Sequence, residues 1–167
     1  MASREAHRQL DAVDGGWRRF RAAVERLGPD ELERVTPAGW TAKEMLAHIA
    51  FWEETVTPVI VGRLRGGPDD AFEGWYGGDE LGLTRNGPWP VSEVHNAREA
   101  AWARSRGATD VLARLDRAHR RLVELVTSLS EREWNDHRYS DKIANATWRH
   151  YAEHLPELEA IARDASM

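Results

Sequence analysis

The chain has 167 residues, a length typical of one domain, and its 41% hydrophobic and 31% charged residues are typical of a globular fold. The net charge of −5 disfavours general nucleic-acid binding, and the absence of cysteine excludes disulfides, thiolate zinc sites and a cysteine nucleophile. No apolar run reaches the roughly 20 residues of a membrane span or forms a signal peptide, so we expect a cytoplasmic protein that does not contact the membrane.

Apolar residues recur at helical spacing in four segments, and no segment shows the alternation of a strand. The first helix is predicted from Ser3 to Leu27, and the pair Gly15–Gly16 within it predicts a kink. The second helix begins after Thr41, because Thr41 and Glu44 have the spacing of a capping box.

A long irregular loop is predicted over residues 62–90, where glycine and proline are frequent. A polar helix is predicted over residues 92–106, and two further apolar-striped helices over residues 111–129 and from about Ala146 onward. A second capping box at Ser130 opens a short turn, and Pro156 predicts a kink in the last helix. These elements predict an all-α fold with one domain over residues 1–167, arranged as an antiparallel four-helix bundle.

Three histidines are predicted to face the inside of the bundle. His150 and His154 are four residues apart, so they share one face of the last helix, and His48 lies in the apolar stripe of the second. Two imidazoles from one helix and a third from another can ligate a divalent ion and leave positions open for water or substrate. The alternative is that these histidines only satisfy hydrogen bonds in the core. His7, His95, His119 and His137 are expected to lie outside the site.

The other candidate site residues are an acid and several aromatic side chains. Glu53 is the candidate catalytic base, because it borders the inner stripe of the second helix. Trp75 and Trp89 in the predicted loop are candidates to cover the site. Trp52, Asn96 and Tyr151 complete the candidate substrate-binding set, although a tryptophan on a helical stripe is more often a core residue. Spacing does not identify the acceptors that orient the imidazoles.

Two segments of the chain, Gly39–Glu53 and Thr147–His154, resemble motifs of the DinB-like superfamily. That superfamily includes mycothiol-dependent maleylpyruvate isomerase and bacillithiol transferases, and the resemblance to it extends from Trp17 to Ile161. Within it, His95 to Leu115 is similar to the ClbS/DfsB-type branch, which includes a colibactin self-resistance protein. This resemblance implies a four-helix bundle, a metal bound by His48, His150 and His154, and frequent homodimers. Zinc or nickel is the metal that it implies most often. It does not imply a reaction, because the superfamily hosts several.

Two functions follow as hypotheses. The first is a metalloenzyme that acts on a reactive small-molecule electrophile by thiol transfer, isomerisation or hydrolysis. Because the chain has no cysteine, a low-molecular-weight thiol would have to be a cosubstrate. The second is a ClbS-like self-resistance protein that binds or detoxifies a natural product, with or without metal. A bundle that only dimerises or binds a partner ranks behind both.

Overall fold

The structure is a computed structural model and describes residues 4–66 and 88–165. Helices dominate these residues, and the β-type pairing that they contain is an isolated bridge between Val35 and Thr41. The helices are α1 (Arg4–Glu25), α2 (Pro29–Leu32), α3 (Ala42–Phe51), a π-helical turn (Trp52–Val56), α4 (Thr57–Gly66), α5 (Pro88–Arg104), α6 (Ala108–Thr127), α7 (Glu131–Asn135), α8 (His137–Ala146) and α9 (Trp148–Asp164). The all-α prediction is confirmed. No described helix has the length and apolar character needed to cross a bilayer.

Helix α3 lies at the centre of the fold. It packs against α5, α6 and α9, while α1 lies along α9 and the π-helical turn contacts α6. Every side chain of α3 from Ala42 to Phe51 is buried, including that of His48. The packing therefore brings the helix that carries His48 against the helix that carries the other two histidines.

Both predicted capping boxes are present. The Thr41 hydroxyl accepts from the Glu44 backbone N–H at 3.1 Å, and the Glu44 carboxylate accepts from the Thr41 N–H at 2.8 Å. Ser130 and Glu133 form the same reciprocal pair at the start of α7. These pairs satisfy backbone donors that a helix start leaves free, and they set where α3 and α7 begin.

The helices extend further than the sequence pattern predicts. Helix α4 continues to Gly66 and α5 begins at Pro88, so both ends of the predicted loop are helical, and residues 67–87 lie outside the described residues. Proline is tolerated in a first helical turn, where its missing N–H has no partner to lose. Helix α8 was not predicted, although the Asp136 side chain caps it by accepting from the Arg138 backbone N–H.

The glycine pair Gly15–Gly16 lies inside helix α1, which is continuous from Arg4 to Glu25, and the kink predicted there stays a prediction. Gly16 faces α9, and a Cβ atom on it would lie 2.7 Å from the Trp148 Cβ, closer than carbon atoms approach. Glycine at this position therefore serves the close approach of α1 and α9. Helix α9 likewise continues past Pro156 to Asp164.

Candidate metal centre

Three imidazoles meet where α3 packs against α9. One ring nitrogen from each of His48, His150 and His154 lies within 4.8 Å of the other two. The Nε2 atoms of His48 and His150 are 3.0 Å apart. His48 and His150 are buried, and His154 is half-buried. The predicted histidine cluster is thus present, and among the described residues it is the one group that could hold a metal ion.

Hydrogen bonds at Nδ1 hold the rings of His48 and His154 in a tautomer that suits a metal ligand. His48 Nδ1 lies 2.9 Å from the Asn96 side-chain oxygen, and His154 Nδ1 lies 3.3 Å from a carboxylate oxygen of Glu157. With Nδ1 donating to these acceptors, Nε2 of each ring keeps its lone pair for a ligand bond. Asn96 on α5 and Glu157 on α9 are therefore the acceptors that the sequence did not identify.

The surroundings keep the two buried imidazoles neutral. Burial, and to a smaller extent the proximity of His154, lowers the pKa of His48 to about 4. Burial and the two neighbouring histidines lower the pKa of His150 well below its usual value. A histidine binds metal in its neutral form, so these shifts keep both ligands ready at neutral pH.

The donor set fits a divalent ion. Among the described residues the buried Nδ1 atom of His150 has no hydrogen-bond partner, so hydrogen bonding at Nδ1 does not fix the tautomer of that ring. Two neutral Nε2 atoms at 3.0 Å can share only one hydrogen bond, which leaves the cluster short of donors. Three neutral nitrogen ligands suit zinc, nickel, iron or cobalt ions, and they leave coordination positions for other molecules.

A cavity of about 420 Å³ opens beside the three histidines. Aromatic and aliphatic side chains form much of its wall, and polar groups from α5, α8 and α9 complete it. The lining residues other than the three histidines are Trp40, Phe51, Trp52, Val56, Ile60, His95, Asn96, Lys142, Asn145 and Glu153. Its size is that of a pocket for a small organic molecule.

Four residues of the cavity wall are spaced four apart along the chain: His48, Trp52, Val56 and Ile60. The π-helical turn explains how they share one wall. In a regular α-helix, residues four apart drift by about 40° around the axis, so His48 and Ile60 would face different directions. A π-helical turn holds more residues than an α-turn and reduces this drift. Thr57 stabilises the turn, because its backbone N–H and its hydroxyl both donate to the Trp52 carbonyl.

The predicted substrate-binding residues fall into three groups. Trp52 and Asn96 line the cavity. Tyr151 is buried in the core, where its hydroxyl donates to Glu53, and it is not part of the cavity wall. Trp75 and the side chain of Trp89 lie outside the described residues, so their role as a cover stays a prediction.

Glu53, the candidate catalytic base, faces away from the cavity. Its side chain is fully buried between the π-helical turn, α6 and α9, and it contacts Tyr151 and His119. A residue beside an inward stripe can face either neighbour of that helix, and spacing alone did not distinguish them. His95 differs from its prediction, since it lines the cavity, whereas His119 lies outside the cavity wall and the histidine cluster, buried beside Glu53.

Sequence reasoning missed several wall residues. Trp40 reaches the cavity because a tight turn precedes α3, with Gly39 at a φ of +91° that favours glycine. Lys142 and Asn145 lie on α8, the helix that was not predicted. The spacing of Tyr139, Ile143 and Ala146 was the available signal for that helix.

Comparisons with known proteins agree with this architecture. A family model described as DinB superfamily matches residues 12–157. The crystal structure of an uncharacterised protein from Escherichia coli UTI89 is similar over 99% of this chain and 97% of that chain, with a TM-score of 0.69 and 15% sequence identity. At that identity the likeness concerns the fold alone. No curated protein is significantly similar in sequence.

Proposed function

The chain belongs to the DinB superfamily, and from that premise we propose that it is a metal-dependent enzyme that acts on a small electrophilic molecule. The observation that carries the proposal is the convergence of three imidazoles, two of them buried and neutral, at the wall of a cavity of about 420 Å³. Open coordination positions beside such a cavity are typical of catalytic metal sites, whereas structural sites are closed by protein ligands.

His48, His150 and His154 would hold the ion, with zinc or nickel as the proposed metals. A divalent ion in such a site supplies Lewis acidity, which activates water or a thiol as a nucleophile at neutral pH. Asn96 and Glu157 hold the imidazoles of His48 and His154 in the ligating tautomer. Trp40 and Trp52 would contact the apolar part of the substrate, and the cavity wall would exclude bulk water.

The proposed reaction is thiol transfer, isomerisation or hydrolysis. A thiol-dependent reaction needs a cosubstrate, because the chain contains no cysteine. The homodimer implied by the family resemblance also stays a proposal. Sedimentation of the purified chain tests it without reference to the metal.

The second candidate is a protein that binds a natural product without turning it over. The aromatic wall formed by Trp40, Phe51 and Trp52 favours it, because such a wall binds conjugated molecules whether or not metal is present.

One experiment separates the two functions. Consumption of model electrophiles is measured with and without low-molecular-weight thiols, using metal-loaded protein, chelator-treated protein and His154→Ala. Turnover that requires both the metal and His154 supports the enzyme. Quenching of tryptophan fluorescence by the same compounds, equal in all three samples and without turnover, supports the binding protein.

A further inference from the structure

A second group of polar side chains is buried behind the histidine cluster, away from the cavity. The Tyr151 hydroxyl donates to Glu53 Oε1, and His119 Nδ1 lies 3.2 Å from the hydroxyl and 3.5 Å from that carboxylate oxygen. Trp17 stacks on His119 at 3.8 Å between ring centroids, and Phe20 stacks on Tyr151 at 5.2 Å. Aromatic rings therefore shield the group from water.

Stability alone does not account for this arrangement. Glu53 is 0% exposed, and its Oε2 atom has no hydrogen-bond partner in the part of the chain that the structure describes. Burial raises the pKa of this carboxyl group, which shows how poorly the site accommodates its charge. Replacement of buried polar partners by well-packed apolar side chains is often neutral or stabilising.

The position of the group in the chain points to a role. Tyr151 directly follows His150 on α9, and Glu53 comes five residues after His48, in the π-helical turn that continues α3. The Tyr151–Glu53 hydrogen bond therefore joins the two helical segments that bring the Nε2 atoms of His48 and His150 to 3.0 Å. His119 adds a contact from α6 and limits rotation of either partner.

We propose that Glu53, Tyr151 and His119 are positioning residues, which hold the His48 and His150 imidazoles at the spacing that one metal ion requires. The inference rests on the proposed function, since it assigns these residues to the metal centre. It predicts that metal affinity depends on the hydrogen bond between Glu53 and Tyr151 even where stability does not.

The test measures zinc affinity by competition with a chromophoric chelator, the absorption spectrum of the cobalt-loaded protein, and the melting temperature of the metal-free protein. The variants are Tyr151→Phe, Glu53→Met, the double variant and Glu53→Gln. Tyr139→Phe is the matched control, because Tyr139 is a buried tyrosine of α8 outside both the cavity wall and this group.

Both single variants that break the hydrogen bond are expected to bind zinc about 10-fold or more weakly, a loss typical of the groups that orient metal ligands. The double variant removes both partners, so it should melt within about 3 °C of the wild type or above it, yet keep the weak affinity and an altered cobalt spectrum. Glu53→Gln keeps the acceptor oxygen and should bind zinc within about threefold of the wild type.

Three results from the variants would overturn the inference while the proposed function stands. The double variant could bind zinc as tightly as the wild type. Alternatively, the zinc affinity of the variants could fall only in proportion to their melting temperatures, and Tyr139→Phe could follow the same proportion. Finally, Glu53→Gln could lose as much zinc affinity as Glu53→Met. A wild-type protein that binds no zinc, nickel or cobalt would refute the proposed function, and the inference with it. Wild-type binding together with unchanged variants would refute the inference alone.

Discussion

The chemistry of the centre depends on which nitrogen of each imidazole carries the proton. Asn96 and Glu157 accept from the Nδ1 atoms of His48 and His154, so the Nε2 atom of each ring keeps its lone pair for a metal ligand bond. Within residues 4–66 and 88–165, the buried Nδ1 atom of His150 has no such acceptor. The His150 imidazole is thus oriented by packing and by its neighbours on α9. The contacts of the adjacent Tyr151 therefore affect where His150 lies in the metal centre.

The depressed pKa of His48 predicts a pH dependence of stability in the metal-free protein. The pKa is about 4 in the folded chain and 6.5 in the unfolded chain, so the unfolded state binds more protons between these values. Stability therefore falls as the pH drops through this range, and His48 contributes about 2 kcal/mol of the loss between pH 7 and pH 5.

Urea unfolding of chelator-treated protein at pH 7 and pH 5 checks this expectation, with His48→Gln as the comparison. The variant should lose less stability than the wild type over the same interval. Burial raises the pKa of Glu53, so this group stabilises the folded chain more as the pH falls, opposite to His48. Glu53 is present in both proteins, so its effect cancels in the comparison. Equal pH dependence in the two proteins would show that His48 titrates normally.

Among the elements, the α1–α9 contact places the backbone of α9. Gly16 permits the close approach, because its missing Cβ would meet both the Cβ and the backbone of Trp148. Its neighbour Gly15 faces open space: a Cβ atom added there would come no closer than 4.0 Å to the Arg19 guanidinium. The adjacent glycines therefore differ in what they do, although they look alike in the sequence.

Gly16→Ala is expected to destabilise the protein by about 1–3 kcal/mol, because the added carbon forces α1 and α9 apart. Gly15→Ala is the matched control and should stabilise by roughly 0.5–1 kcal/mol, since alanine favours the helix and nothing obstructs its side chain. Thermal and urea unfolding measure both variants. Similar effects at the two positions would contradict the assigned contact.

The sequence predicted a helix start correctly where the whole capping motif is present in a few consecutive residues. The capping boxes at Thr41 and Ser130 are short-range motifs, and both helix starts are where these motifs indicate. Helix α8 carries its apolar residues on only ten positions, which gave too short a pattern to recognise. The π-helical turn could not be predicted, because it depends on how the Trp52–Val56 segment packs against α6 and on the Thr57 hydroxyl.

For the whole molecule, the histidine cluster was predictable because helical spacing and inward-facing stripes are properties of the sequence. The wall of the cavity was less predictable, since Trp40, Lys142 and Asn145 reach it through the packing of separate elements. Glu53 borders the stripe as predicted but faces α6 and α9, where it contacts His119 and Tyr151. Identifying such partners requires the relative placement of three helices.

The metal content of the purified chain tests the account most directly. Protein prepared without an affinity tag or chelator is analysed by plasma mass spectrometry, alongside His150→Ala, His154→Ala and the exposed-histidine control His137→Ala. The account predicts about one equivalent of zinc or nickel per chain in the wild type and in the control, and loss of that ion in the other two variants. The account would be contradicted by a wild-type protein that takes up neither metal after reconstitution. It would also be contradicted if His150→Ala and His154→Ala kept the ion.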